Sequence, residues 1–293
     1  MHAPARLSQK RVAYLFLIPA GVFYFAVVVL PIVDSFFMSL HRLGPGYSSF
    51  VGLANFRHLL ADLVFWQSLE HNLILVVLSL LIQLPLGLLL AVLLSGRVVG
   101  AKIFRAGFFM PMMLSTVVIG LLTRELFRPD VGLVNSALKA VLGLAHGPDW
   151  FGQSLALMTN VIAVSWRFTG FYMMLFVAGL QSIPEELYEA ARIDGAGPWA
   201  CFRHVTLPGL RRVIAVSALL SIVGSLKYFD LVWIITAGGP GHASELMTTY
   251  MFSQAFESQD WGYASAIAVG AFLISLLAAA AYMLVLRRQE PRP

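Results

Sequence analysis

Six long apolar runs, separated by short polar or basic stretches, set the architecture of this chain. They cover residues 12–38, 73–94, 106–122, 155–180, 213–237 and 263–286. Each is about as long as a helix needs to cross the hydrocarbon core of a bilayer, and none alternates with the period of two that a strand requires. The pattern predicts an all-α integral membrane protein with six transmembrane helices. Pro19, Pro31, Pro85 and Pro111 fall inside the runs, which membrane helices tolerate when neighbours satisfy the freed backbone groups. Gly44-Pro45-Gly46 marks a turn in the 39–72 connection, and the 124–154 connection mixes charge, glycine and proline. The longest polar-rich island in the second half is Ser182 to Pro208.

Composition strengthens this picture. Of 293 residues 59% are hydrophobic and 12% charged, and the mean hydropathy is +0.80, more apolar surface than a soluble fold of this size can cover. The single cysteine, Cys201, excludes an intrachain disulfide. The first apolar run is too long for a secretory leader and is expected to be kept. The division is then a tail (1–11), a membrane domain (12–286) with its hairpin (182–208), and a second tail (287–293). Lysine and arginine number 13 on the side that carries both termini and the hairpin, against 5 on the other. By the positive-inside rule the termini and hairpin face the cytoplasm. The net charge of +5 speaks to topology rather than to nucleic acid.

Within the island, Ser182 and Glu185 have the spacing of a capping box, Pro184 falls in the first turn, and Gly195, Gly197 and Pro198 stop the helix. A second short helix is expected from Trp199. Leu187, Ala190, Ala191 and Asp194 share one side; Glu185, Glu189 and Arg192 share another, where Glu189 and Arg192 can pair. On physical grounds alone the segment is either a plain connection or a docking surface that small alanines leave open to close approach. Glu189-Ala190-Ala191, then Gly195, then Val205-Thr206-Leu207-Pro208 resembles the EAA signature of permease subunits of ATP-binding-cassette importers, with Val205 where isoleucine is usual. Val51 to Phe56, the Gly179-to-Pro184 run, Phe229-Asp230 and Thr236 to Pro240 are similar to carbohydrate-type members, such as maltose and glycerol-3-phosphate permease subunits. The resemblance spans most of residues 12–286 and implies the type I importer permease fold. It also implies that the hairpin is a coupling helix seated in a groove of an ATPase subunit, through Glu185, Glu186, Tyr188, Glu189, Ala190, Ala191, Asp194, Gly195 and Pro208.

Charged residues at bilayer depth are costly unless they face a partner or water. Arg167 lies midway along the fourth run; Lys227 and Asp230 lie within the fifth, three apart and able to meet on one helical face. Trp166, Phe168, Phe171 and Tyr172 surround Arg167 in sequence, and Tyr228, Phe229 and Trp233 flank the other two. They are either structural ion pairs in aromatic packing or the walls of a solute path. Rings beside hydrogen-bonding groups suit a sugar. The resemblance extends to Trp166, Gly170 and Met173, and places the solute path along Trp166, Arg167, Gly170, Tyr172, Met173, Lys227, Tyr228, Phe229 and Asp230. Lys227 departs from the general pattern; with Arg167 it favours an anionic solute such as a phosphorylated polyol.

The sequence has no phosphate-binding loop of the G-x-x-x-x-G-K-[ST] type, no H-E-x-x-H and no cysteine pair, so no bound cofactor and no catalysis are expected of this chain. The resemblance implies a non-enzymatic subunit of the bacterial inner membrane. Its partners would be a second permease subunit, two ATPase subunits that carry ATP and magnesium, an extracytoplasmic solute-binding protein touching Asn55–Trp66 and Gly238–Trp261, and membrane lipid. The competing reading is an ion-coupled secondary transporter of a polar solute, which would use Asp230 and Lys227 but gives no reason for the Glu189-to-Pro208 pattern.

Overall fold

A computed structural model describes residues 9–96 and 98–289, and side chains from Phe16 to Arg287 apart from residue 97. Part of the expected tails, and Arg97, lie outside the described residues. By its internal contacts the chain divides into two units, residues 1–61 with 251–270, and residues 62–250 with 271–293.

In the first unit, α1 (Gln9–Tyr24) runs through one wide turn (Phe25–Val29) into α2 (Leu30–Ser39). Pro19 and Pro31 sit inside these helices without ending them. A hairpin follows, β1 (His41–Gly44) antiparallel to β2 (Tyr47–Phe50), with His41 opposite Phe50. The expected turn is therefore a two-residue hairpin loop, Pro45-Gly46, with Gly46 at φ +79°. In α3 (Ala54–Ala61) the Asn55 amide donates to the carbonyls of Ser39 and His41 at 2.8 and 2.9 Å, tying the hairpin to the end of α2. His58 stacks on the buried Tyr263 at 4.3 Å.

The second unit opens at α4 (Leu63–Ser95), where Asp62 accepts from the Val64 N–H at 2.9 Å as an N-cap. α4 begins ten residues before the expected span. At 1.5 Å per residue its 33 residues run about 50 Å, well beyond a hydrocarbon core of about 30 Å, so Glu70, His71 and Asn72 are carried rather than acting as a stop. α5 (Ala101–Met113) and α6 (Thr116–Leu126) replace the single third span. They meet at 98°, and the bend lies at Leu114–Ser115 rather than at Pro111, which stays inside α5. After α7 (Leu133–Leu142), α8 (Ala156–Gln181) matches the fourth run within a residue at each end. Next come α9 (Glu185–Ile193), α10 (Pro198–Cys201), a wide turn (Phe202–Thr206) and α11 (Leu207–Gly209). The fifth run is also divided: α12 (Arg211–Leu226) stops, and α13 (Asp230–Ile235) restarts after three residues. α14 (Met247–Phe256) and α15 (Trp261–Gln289) follow, each divided between the two units. Among the described residues four helices are long and apolar enough to cross a membrane, or six elements if each strongly bent helix pair counts as one span.

The core of the second unit is α4 laid along α8 and α12. Phe65, Asn72, Leu75, Ser79, Gln83, Gly87 and Ala91 recur at helical spacing on the buried face of α4. Gly87 permits the approach: a Cβ there would stand 3.0 Å from the Met173 nitrogen and 3.1 Å from the Tyr172 Cβ on α8. At Gly170 a Cβ would fall onto the Phe108 carbonyl of α5. Small residues at such crossings are how membrane helices gain dispersion contact.

Candidate functional site

Two places combine exposure with chemistry: the α9–α11 hairpin and the break between α12 and α13. In the hairpin, α9 carries no buried residue; Leu187 and Ile193 are 52% and 86% exposed. Glu185 and Glu186 in its first turn and Arg192 in its last complement the helix dipole. The expected capping box is not formed. The Ser182 hydroxyl turns back to donate to the Gly179 carbonyl at 2.7 Å, and Pro184 occupies the N-cap, where no side chain caps the helix. The expected Glu189–Arg192 pair is also absent from the ion pairs among the described residues, since both side chains stand in the open.

The helix ends in a full Schellman motif. The Ala196 N–H donates to Ala191 O at 2.9 Å and the Gly195 N–H to Arg192 O at 3.0 Å, with Gly195 at φ +81°. A residue with a Cβ is strained in that conformation even though nothing crowds Gly195 from outside, which explains a glycine at this point of the signature. Ala190, Ala191 and Asp194 border this end on the open side. Tyr188 is turned inward: its hydroxyl meets Thr206 Oγ1 at 3.0 Å and links the two arms of the hairpin. The Cys201 thiol donates to Ala196 O at 3.7 Å and is buried, consistent with an inert packing role. Pro208 lies exposed in α11.

The second place is residues 227–229, where the chain is not helical. Asn72, fully buried on α4, donates to the carbonyls of Ser225 and Leu226 at 2.8 and 3.4 Å, and its own carbonyl accepts from the Met247 N–H at 2.9 Å. The Thr248 hydroxyl donates to the Tyr228 carbonyl. Irregular backbone at membrane depth survives only with such partners. Lys227 and Asp230 flank the break and are exposed; they do not form the expected ion pair, because the helix that would have aligned them is interrupted between them. Arg167 Cζ stands 5.5 Å over the Phe168 ring, which meets Tyr228 edge-on at 5.9 Å. Phe229 stacks on Trp233 at 5.8 Å.

Below the break is a cavity of about 190 Å³ bordered by Gln83, Phe168, Phe171, Tyr172, Ser221 and Tyr228. Among the described residues the Nε of Arg167 and the hydroxyls of Ser221 and Tyr228 are buried without a well-formed hydrogen bond, although Arg167 stands beside Tyr228 and Ser221 beside Tyr172. Unsatisfied donors of this kind mark room for water or a polar guest. The structure thus gathers Arg167, Tyr172 and Tyr228 with Phe168. It leaves Trp166, 45% exposed, on an outer face, and it commits Gly170 and Met173 to helix packing, Met173 being wholly buried among Leu84, Ala91 and Phe176. Asn72 and Thr248, which hold the break, carry no sequence motif. Their one signal is a buried-type amide in an otherwise apolar helix and a threonine after Met247. No group of His, Cys, Asp and Glu fit to hold a metal occurs among the described residues.

This geometry coincides with a family match. Residues 83–293 fit the model described as binding-protein-dependent transport system inner membrane component. The chain belongs to this family. It is 38% identical over 275 residues to the probable ABC transporter permease protein YurN of Bacillus subtilis, covering 92% of this chain and 94% of the relative. It is 33% identical over 278 residues to the arabinooligosaccharides transport system permease protein AraP of the same species, covering 92% and 87%. Its fold resembles a chain in the crystal structure of a bacterial ABC transporter involved in the import of the acidic polysaccharide alginate, with a TM-score of 0.84, 21% identity and 97% of each chain covered. Membership of this family favours a subunit of a binding-protein-dependent system over the ion-coupled alternative.

Proposed function

We propose that the chain is a non-catalytic permease subunit of an ATP-driven importer and forms half of the path for a sugar or sugar-like solute. The observation that carries this reading is the open α9 helix with its Schellman glycine, in a chain related along nearly its whole length to an oligosaccharide permease. The hairpin would seat in an ATPase subunit through the Glu185–Asp194 face, with Gly195 setting the angle between the arms and Pro208 at its base. Two ATPase subunits bring ATP and magnesium, a second permease subunit completes the path, and a solute-binding protein delivers cargo at the opposite membrane face. Both termini and the hairpin would lie in the cytoplasm. Nucleotide binding at one end and solute at the other then bias one two-state element.

The solute would pass the break at Lys227–Phe229, beside Arg167, Tyr172, Tyr228 and Asp230. Arg167 and Lys227 would favour an anionic solute, because Lys227 adjoins Tyr228 in sequence and Arg167 lies over the Phe168 ring that meets Tyr228, while Asp230 alone opposes them. The test is ATPase activity of the assembled complex in lipid, with binding protein and candidate solutes, in wild type and Gly195→Asp. Aspartate adopts positive φ at about 1–2 kcal/mol, so the variant should fold. Stimulation present in the wild type and lost in the folded variant supports the reading. Absence of a nucleotide-hydrolysing partner, with uptake following an ion gradient instead, refutes it. Uptake of anionic solutes unchanged in Arg167→Ala and Lys227→Ala refutes the charge preference.

A further inference from the structure

At the end of α8 away from the hairpin, 26 residues or about 39 Å along the helix, lies a cavity of about 510 Å³. That volume is within the range of small-molecule sites. Its walls include Arg124, Glu125 and Arg128 on one side and Phe151, Thr236 and Pro240 on the other. We propose that this is a separate subsite for a carbohydrate bearing an anionic group, carboxylate or phosphate. The proposal rests on the importer reading above and extends it to a place where the solute is selected before it reaches the α12–α13 break.

Three observations carry it. The first is charge. Arg128 is bonded to Glu125 at 3.1 Å, an exposed pair that constrains little, whereas Arg124 forms no ion pair among the described residues. One guanidinium therefore faces the cavity uncompensated, and its planar fork suits carboxylate or phosphate. The second is the mixture of surfaces. The ring of Phe151 and the face of Pro240 offer apolar contact to a pyranose, while the Glu125 carboxylate accepts from hydroxyls. The third is rigidity. The wholly buried Asn135 donates to Pro129 O at 2.8 Å and Pro148 O at 3.1 Å and accepts from Trp150 Nε1 at 2.7 Å, which fixes the turn carrying Arg128 against the segment carrying Phe151. Across the cavity, Thr236 accepts from Asn160 at 3.0 Å and Ser244 at 2.8 Å. Both walls are held before any ligand arrives, so little ordering is left to oppose binding. α13 joins the two places: Ile235 borders this cavity and Asp230 begins at the break, five residues or about 7.5 Å apart along the helix.

The experiment is equilibrium binding of labelled digalacturonate, glucose 6-phosphate and maltose to the assembled transporter in nanodiscs, in wild type, Arg124→Gln and Arg124→Lys. At least one acidic probe should bind the wild type. Arg124→Gln should weaken it about tenfold or more, as expected for a lost hydrogen bond to a charged group, and Arg124→Lys should fall between. Maltose binding should be the same in all three. If digalacturonate alone responds the group is a carboxylate, and if glucose 6-phosphate alone responds it is a phosphate. The proposal is overturned if neither acidic probe binds the wild type up to about 1 mM, a free energy too small for a built site. It is also overturned if Arg124→Gln leaves acidic binding intact or weakens maltose equally. Failure of the importer reading would show separately, as ATPase activity that ignores the binding protein while acidic probes still bind.

Discussion

Replacing Asn72 with leucine, of similar volume, tests how the α12–α13 break is held. The wild-type amide makes three hydrogen bonds in a site with no exposed surface: two to the carbonyls of Ser225 and Leu226, and one from the Met247 N–H. Interhelical bonds in membrane proteins average about 0.6 kcal/mol each and reach about 1.7, and a buried polar group left unpaired costs about 1–3 kcal/mol. Three bonds, one of them long, sum to about 2–4 kcal/mol. At about 2–4 °C per kcal/mol for a domain of this size, Asn72→Leu should lower the thermal midpoint in nanodiscs by about 4 °C or more. Leu73→Ala is the control, since Leu73 is 50% exposed on the same helix and makes no such bond. The assay is tryptophan fluorescence against temperature at fixed lipid composition. A shift under about 1 °C for Asn72→Leu would refute the claim that this amide sustains the interruption.

Three other outcomes follow from the packing. Gly170→Ala places a methyl group on the Phe108 carbonyl, so α5 and α8 must separate; a loss of about 1–3 kcal/mol in thermal stability is expected, whereas Gly197→Ala, with open space around it, should change little. Glu245→Ala removes the buried carboxylate that accepts from Thr249 at 2.5 Å and meets His242 Nδ1 at 2.9 Å. It should destabilise by about 2–3 kcal/mol and raise amide hydrogen exchange over residues 236–249. Trp150→Phe keeps the ring contact with Phe127 but loses the bond to Asn135, and should cost about 1 kcal/mol, read as a midpoint shift of a few degrees.

How much of this was legible in the sequence depended on where the deciding forces lie. The ends of α8, the α9 stop at Gly195 and the Pro45-Gly46 turn are set by local chemistry, and a reader of the sequence finds them. The early start of α4 and the break at Lys227 are set by partners far along the chain. Nothing in Leu226-Lys227-Tyr228-Phe229 is a helix breaker; the interruption exists because Asn72 and Thr248 supply alternative bonds to its carbonyls. The same gap explains why Lys227 and Asp230 read as a helical pair and are not one. The capping box failed for a local reason: Ser182 had a nearer acceptor in Gly179, and Pro184 took the cap position. The cavity beside Arg124 was invisible because its walls come from residues more than a hundred positions apart.

The contrast between α8 and its neighbours has a mechanical consequence. α8 runs 26 residues without a proline or a missing backbone bond, while the chain on either side is jointed, at Leu114–Ser115 and at residues 227–229. An unbroken helix transmits a push along its axis with little bending, whereas torsions at a joint change at small cost. Displacement of the hairpin at one end of α8 therefore reaches the Phe151 end as translation or tilt of a strut. The shape change it demands is taken up at the two joints. The first lies beside the α5–α8 crossing at Gly170, and the second holds Tyr228, so a stiff rod between two elbows delivers motion to the residues around Arg167 rather than dissipating it along the way.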